Sequence, residues 1–145
     1  MNRLLVALSL LSLGLLACDP RAGVSVASDS GRVRVDFLNC SRPAQVLPVK
    51  SVEVRAVGDR QEGAAGDRQD GAPPACELRW RDGTKLTGAW RYGDQVPGYT
   101  LRGCAPLAPG RSYEVRAFMA PHTVAKAVFT LEPDGRVTPR SGGCD

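Results

Sequence analysis

The sequence predicts an all-β domain, an antiparallel sandwich or barrel of short strands stapled by disulfides. Three observations predict it. After Cys18 the apolar residues recur with a period of two, and no stretch of ten or more residues keeps a 3.6-residue period. Turn-forming pairs of Gly, Pro and Asp separate these runs at short intervals, as in an all-β sandwich or barrel. Of the five Cys in the chain, four lie beyond Cys18, and an even number in an exported chain reads as a disulfide framework.

The N-terminal residues stand apart from this pattern. Met1-Asn2-Arg3 is a short positive segment, and Leu4 to Leu16 is an almost unbroken run of Leu, Val, Ala and Ser. Such a run reaches only about 20 Å as a helix, against a hydrocarbon core of about 30 Å. It is too short to span a bilayer and fits the apolar region of a signal peptide. Leu15-Leu16-Ala17-Cys18 closes it. This tetrapeptide resembles the lipobox of bacterial lipoproteins, in which Leu precedes small residues and an invariant Cys; Leu16 is bulkier than is usual at its place. The resemblance implies diacylglycerol on the Cys18 thiol, cleavage after Ala17 and acylation of the new N-terminus. Two or more acyl chains anchor a protein stably. The implied partner is therefore a membrane, and the implied location is the bacterial cell envelope, on the periplasmic or surface side. Asp19 resembles an inner-membrane retention signal of some enteric bacteria, and the choice between inner and outer membrane stays open.

The organisation that follows has four parts. Residues 1–17 are the lipoprotein signal peptide, and 18–30 are the lipidated Cys with a flexible tether. Residues 31–145 are the β domain, with a disordered insertion at 58–75. Within 18–30, Val24 and Val26 leave room for a short strand, so that boundary is soft. The insertion holds a tandem repeat: Gly58-Asp59-Arg60-Gln61-Glu62-Gly63-Ala64-Ala65 is followed by Gly66-Asp67-Arg68-Gln69-Asp70-Gly71-Ala72-Pro73, with two positions different. Without aromatic or β-branched residues it buries too little apolar area to offset its ordering entropy. The Arg in each unit and the period of eight argue against calcium binding.

The strands are read in order. Val33, Val35 and Phe37 alternate with Arg32, Arg34 and Asp36; Val52 and Val54 alternate with Ser51, Glu53 and Arg55. Cys76, Leu78 and Trp80 share a face, as do Leu86, Trp90 and Tyr92. Tyr113, Val115 and Ala117 share another, and so do Ala125, Ala127, Phe129 and Leu131. Asp82-Gly83 reads as a hairpin turn, which places Trp80 and Trp90 in the core on adjacent strands. Pro133-Asp134-Gly135 reads as another turn, and Pro97-Gly98 and Pro109-Gly110 punctuate the middle.

Leu107-Ala108-Pro109-Gly110-Arg111-Ser112-Tyr113 narrows the architecture. It resembles the corner before the penultimate strand of fibronectin type III and related immunoglobulin-like domains. The resemblance implies an immunoglobulin-like sandwich, a Tyr113 hydroxyl bonded back to nearby backbone, and a closing hairpin over Ser112 to Leu131. It covers about thirty residues.

Four Cys allow three connectivities. The favoured one is Cys76–Cys104 with Cys40–Cys144. Cys76 and Cys104 are the closest pair in sequence, and the other bridge ties the first core strand to a tail with no apolar residue after Val137 except Cys144 itself. A strict fibronectin-like strand order, however, puts Cys76 and Cys104 at opposite poles. Bridgeable Cα atoms lie within about 7 Å, so on this reading the order and the pairing exclude one another.

Little in the chain points to catalysis. The net charge of +4 comes from scattered residues rather than a patch, so no nucleic-acid partner is expected. The single His, His122, reads as the tip of the closing hairpin. Gly-x-Ser-x-Gly, Cys-x-x-Cys and Gly-rich phosphate loops are absent from the sequence, so no catalytic, metal or cofactor-binding residue is assigned and no cofactor is expected. The chain reads as a non-enzymatic binding or structural module of the envelope. Its partner is an unknown envelope protein or a glycan such as peptidoglycan or a polysaccharide, and inhibition of an envelope-directed hydrolase belongs to the same class. The candidate ligand-binding residues are Tyr92, Tyr99 and Trp90, aromatics set among polar neighbours that could stack on sugar rings or anchor a partner. Tyr92 and Tyr99 read as the exposed pair. The corner is testable by itself: Tyr113→Phe should cost roughly 1 kcal/mol or more in urea unfolding, and a neutral change would make Tyr113 an ordinary strand residue.

Overall fold

A computed structural model describes residues 21–58 and 73–144. In chain order the strands are β1 (Ala22–Asp29), β2 (Arg32–Asn39), β3 (Val49–Ala56), β4 (Cys76–Trp80), β5 (Ala89–Arg91), β6 (Tyr99–Gly103), β7 (Arg111–Met119), β8 (Thr123–Leu131) and β9 (Val137–Ser141). No helix occurs among the described residues. One sheet has the order β1-β2-β5, the other β6-β4-β3-β7-β8-β9, and all pairings are antiparallel. This is an immunoglobulin-like sandwich: its first, second and fifth strands oppose its third, seventh and eighth, as A-B-E oppose C-F-G. β6 and β9 lengthen the larger sheet at its two edges.

The period of two carries this arrangement. Val24 and Val26 of β1, Val33, Val35 and Phe37 of β2, and Val52 and Val54 of β3 are buried in one core. Tyr113, Val115, Ala117 and Met119 of β7 and Ala125, Ala127, Phe129 and Leu131 of β8 join it, while the intervening residues face outward. The Tyr113 ring stacks on Phe129 at 5.6 Å. Its hydroxyl accepts from the Ala108 N–H at 2.8 Å and donates to the Ala108 carbonyl at 3.3 Å. That is the bond to nearby backbone which the Leu107–Tyr113 corner implies.

Both disulfides form as favoured, Cys40–Cys144 with Cα atoms 5.4 Å apart and Cys76–Cys104 at 4.2 Å. The conflict between this pairing and the strand order disappears because of β6. Tyr99–Gly103 returns antiparallel beside β4, with Cys76 opposite Gly103, so Cys104 arrives next to Cys76. Periodicity missed β6 because Thr100 and Arg102 leave only Tyr99 and Leu101 to mark five residues.

Three further expectations are corrected. The tether does not extend to residue 30: Ala22–Asp29 pairs with β2 along its whole length, through Val24 and Val26. Asp82-Gly83 is not a hairpin turn, because β4 and β5 lie in different sheets and the segment crosses between them. Trp80 and Trp90 are therefore not on adjacent strands. Trp90 is in the core, whereas Trp80 packs against its edge with the Lys85 ammonium 3.7 Å above its ring. Pro133-Asp134-Gly135 does turn β8 into β9. Residues 59–72 of the insertion lie outside the described residues; its C-terminal end is fastened where the Ala75 carbonyl accepts from the Cys104 N–H at 2.7 Å.

The C-terminal tail is clasped onto β1. Gly143 bridges to Val24, its N–H donating to the Val24 carbonyl at 2.6 Å, and Cys144 closes the disulfide to Cys40. Gly23 permits this closeness: a Cβ there would lie 2.0 Å from the Gly143 carbonyl oxygen and 2.9 Å from the Cys40 sulfur. Both obstacles are held by covalent or backbone bonds and cannot step aside. Gly23→Ala is therefore expected to destabilise the oxidised protein by about 2 kcal/mol or more, as overpacking does. Urea unfolding without reductant measures it, and an unchanged midpoint would mean that the tail does not seat on β1.

Candidate functional site

The three candidate aromatics come together on β5, the loop after it and β6; Trp90 and Tyr99 are buried in the core, and Tyr92 packs half-buried against it. Trp90 is 3% exposed, and its indole N–H donates to the Asp94 carbonyl at 2.9 Å. The Tyr92 ring is tilted against it at 6.0 Å. The Tyr92 hydroxyl donates to the Ala105 carbonyl at 2.8 Å. Tyr99 is 6% exposed; its hydroxyl donates to the Val49 carbonyl and accepts from the Leu86 N–H at 2.7 Å. Tyr92 and Tyr99 are thus not an exposed pair, and none of the three presents a free ring face with a free polar tip. Each satisfies its polar atom on backbone of another segment, the usual condition for burying Tyr and Trp. They fasten the irregular loop between β5 and β6 to the sandwich.

The phenols record this. Burial raises the Tyr92 hydroxyl to about 12, with Tyr113 adding to the effect. Burial also raises Tyr99, opposed by the Leu86 N–H that favours its phenolate. Ionised tyrosine would place charge in a poorly solvated place.

Around Trp90 an open concavity is lined by Asp29, Arg34, Arg91 and Asp94. Its charges are spoken for. Arg91 bonds Asp29 at 2.8 Å and holds that carboxyl below its ordinary range, by hydrogen bond first and by charge second. Arg32 reaches Asp94 at 2.5 Å and Arg34 reaches Asp36 at 2.6 Å. Guanidiniums engaged with carboxylates have little left for an incoming anion. His122 is exposed at the β7–β8 turn, as its place in the sequence implies. Cys40, Cys76, Cys104 and Cys144 are all oxidised, so none offers a thiolate. Among the described residues no three of His, Cys, Asp and Glu gather as metal ligands, and no helix is long and apolar enough to cross a membrane. Cys18 lies outside the described residues.

What sequence reasoning missed is a gathering of cations. Arg21, Arg42, Lys50 and Lys85 are scattered in sequence, yet the fold brings them to the end of the sandwich where β1 begins. No run of charge marks them, and only the loop connections could have revealed them. No protein-family model matches the chain, and neither a curated protein nor a solved structure matches it. The class of the described domain accordingly rests on its own geometry, that of a disulfide-stapled immunoglobulin-like sandwich.

Tyr92 supplies a pH test. Its pKa is raised on folding, so its contribution to stability is complete below about 10, the unfolded value, and is lost as pH rises towards about 12. Tyr92→Phe should flatten the fall in stability over that alkaline window and remove the phenol titrating at about 12. Loss instead of a phenol titrating near the ordinary value of about 10 would place Tyr92 in solvent.

Proposed function

We propose that the chain is a lipid-anchored protein of the bacterial cell envelope whose folded part is a non-enzymatic binding or structural module. The observation that carries this is Leu15-Leu16-Ala17-Cys18 at the end of an apolar run too short to span. Two features support it. The remaining four Cys pair completely, as suits an oxidising compartment outside the cytoplasm. β1 begins four residues after Cys18, so a lipid on that residue would hold the sandwich close to the bilayer. Glycan binding through Tyr92, Tyr99 and Trp90 loses its footing, since these rings serve the core. Inhibition of a hydrolase has no particular residue in its favour.

The anchor is tested on the N-terminal peptide of the protein purified from cell membranes. Its mass should show acyl chains on Cys18, and Cys18→Ser should leave an uncleaved, unacylated precursor. A wild-type N-terminus without acyl mass would refute the reading.

A further inference from the structure

Among the described residues, the end of the sandwich where β1 begins carries an excess of unpaired positive charge. Ala22 pairs with Asn39, so the start of β1 lies beside the end of β2, and the Arg21 N–H donates to the Ser41 hydroxyl at 2.8 Å. Ala22 and Gly23 share an open groove with Val124, Ala125 and Lys126, which brings the start of β8 to the same end. Val49 opposes Met119, and the Lys50 ammonium donates to the Pro121 carbonyl at 2.9 Å, adding the start of β3 and the β7–β8 turn. The Val49 N–H donates to the Leu86 carbonyl at 2.9 Å, which brings Lys85. Arg21, Arg42 and Lys50 are exposed, and Lys85 is half-buried over Trp80. None of these four has a carboxylate partner among the described residues. The acidic side chain described at this end is Asp82, with the Arg81 guanidinium 3.7 Å from it. Val46, 65% exposed, lies in the β2–β3 loop at this end, and Val124, 47% exposed, sits one residue into β8. At the opposite end, where β1 finishes and β8 ends, most of the charge is paired: Arg91 with Asp29, Arg32 with Asp94 and Arg136 with Asp134, leaving Arg102, Arg111 and Glu132.

We infer that this basic end, with Arg21, Arg42 and Lys50 at its centre, docks on anionic phospholipid headgroups. The inference rests on the lipid-anchor reading. Charge complementarity names the occupant, and chain length delivers it. Only Asp19 and Pro20 separate Cys18 from Arg21, and three extended residues reach at most about 11 Å. An acyl-bearing Cys18 therefore brings this end, rather than the opposite one, within about a Debye length of the headgroups, where screening is weakest. Each Lys or Arg brought to an anionic surface favours the contact roughly fivefold. Three together hold the docked orientation by roughly a hundredfold, and Val46 and Val124 can enter the headgroup layer beside them.

Hydrogen exchange on the purified acylated protein tests this, with the protein inserted into vesicles of phosphatidylcholine alone or of equal parts phosphatidylcholine and phosphatidylglycerol. The β2–β3 loop, the β4–β5 crossing and the Pro121-His122 turn should exchange several-fold more slowly on the phosphatidylglycerol vesicles only. Added salt at about 1 M should abolish the difference. Arg21→Gln, Arg42→Gln and Lys50→Gln combined should abolish it too, while the protein still floats with both vesicles. Acylated protein that floats with both but shows no lipid-dependent protection at this end overturns the docking and leaves the anchor standing. Equal protection on both vesicles that grows with protein density would indicate contact between copies, and also overturns it. A chain without acyl mass that floats with neither vesicle sinks the anchor, and the docking with it.

Discussion

The closure of the C-terminal tail onto β1 holds the rest of this fold in place. Cys144 is tied to Cys40 across 104 residues of sequence, and Gly143 bonds Val24 from the other side. A cross-link over so long a loop removes much of the freedom of the unfolded chain, worth several kcal/mol in the chain-entropy account. It also does local work. β1 is the outer strand of a three-stranded sheet whose far strand, β5, has only three residues. Such a sheet needs a facing layer to be stable, and the clasp holds β1 against β8 and β9. Gly23 and Gly142 are the places where side chains had to be absent. At Gly142, φ is +128°, and a Cβ would lie 2.6 Å from the Val24 carbonyl oxygen.

The second disulfide acts on the opposite edge of the larger sheet. β6 is an added strand with a weak apolar signal, and Cys76–Cys104 fastens its end to the start of β4. The buried Tyr99 fixes the other end by bonding Val49 and Leu86. An edge strand fixed at both ends has little freedom to slip in register, which a period-two pattern this sparse would otherwise allow.

These two edges also mark how much was legible in the residues. Strands with three or four alternating apolar side chains, such as β2, β7 and β8, were readable because one face must leave water. The corner at Tyr113 was readable because Leu107–Tyr113 resembles a recurring motif in which the Tyr hydroxyl bonds back to backbone a few residues upstream. β1, β6 and β9 were not, or only faintly. Each shows few alternating apolar side chains: Val24 and Val26 in β1, Tyr99 and Leu101 in β6, and Val137 alone in β9, while β6 pairs with β4 rather than with a neighbour in sequence. The aromatics misled for a related reason. Trp90, Tyr92 and Tyr99 sit among Gly, Asp, Gln and Pro, a setting that resembles an exposed loop. Composition cannot report that backbone carbonyls, Asp94 in that loop and Ala105 beyond β6, are the acceptors Trp90 and Tyr92 need. The cations at the β1 end were invisible for the same reason, because their proximity is made by β2–β3, β4–β5 and β7–β8 connections.

Pairing residues 22–29 into β1 changes what an anchor at Cys18 could do. A flexible tether of thirteen residues would have an end-to-end distance of about 20 Å, enough to let the sandwich present any face to the bilayer. With the domain starting at Ala22, only Asp19, Pro20 and Arg21 lie between it and Cys18, a reach of at most about 11 Å. On the anchor reading, orientation then follows from the charge at the β1 end rather than from the linker. On that reading the opposite end, with its Arg91–Asp29 and Arg32–Asp94 pairs, would point away from the membrane. Those paired charges would therefore face the aqueous space, and a partner that is not the membrane would meet that end first.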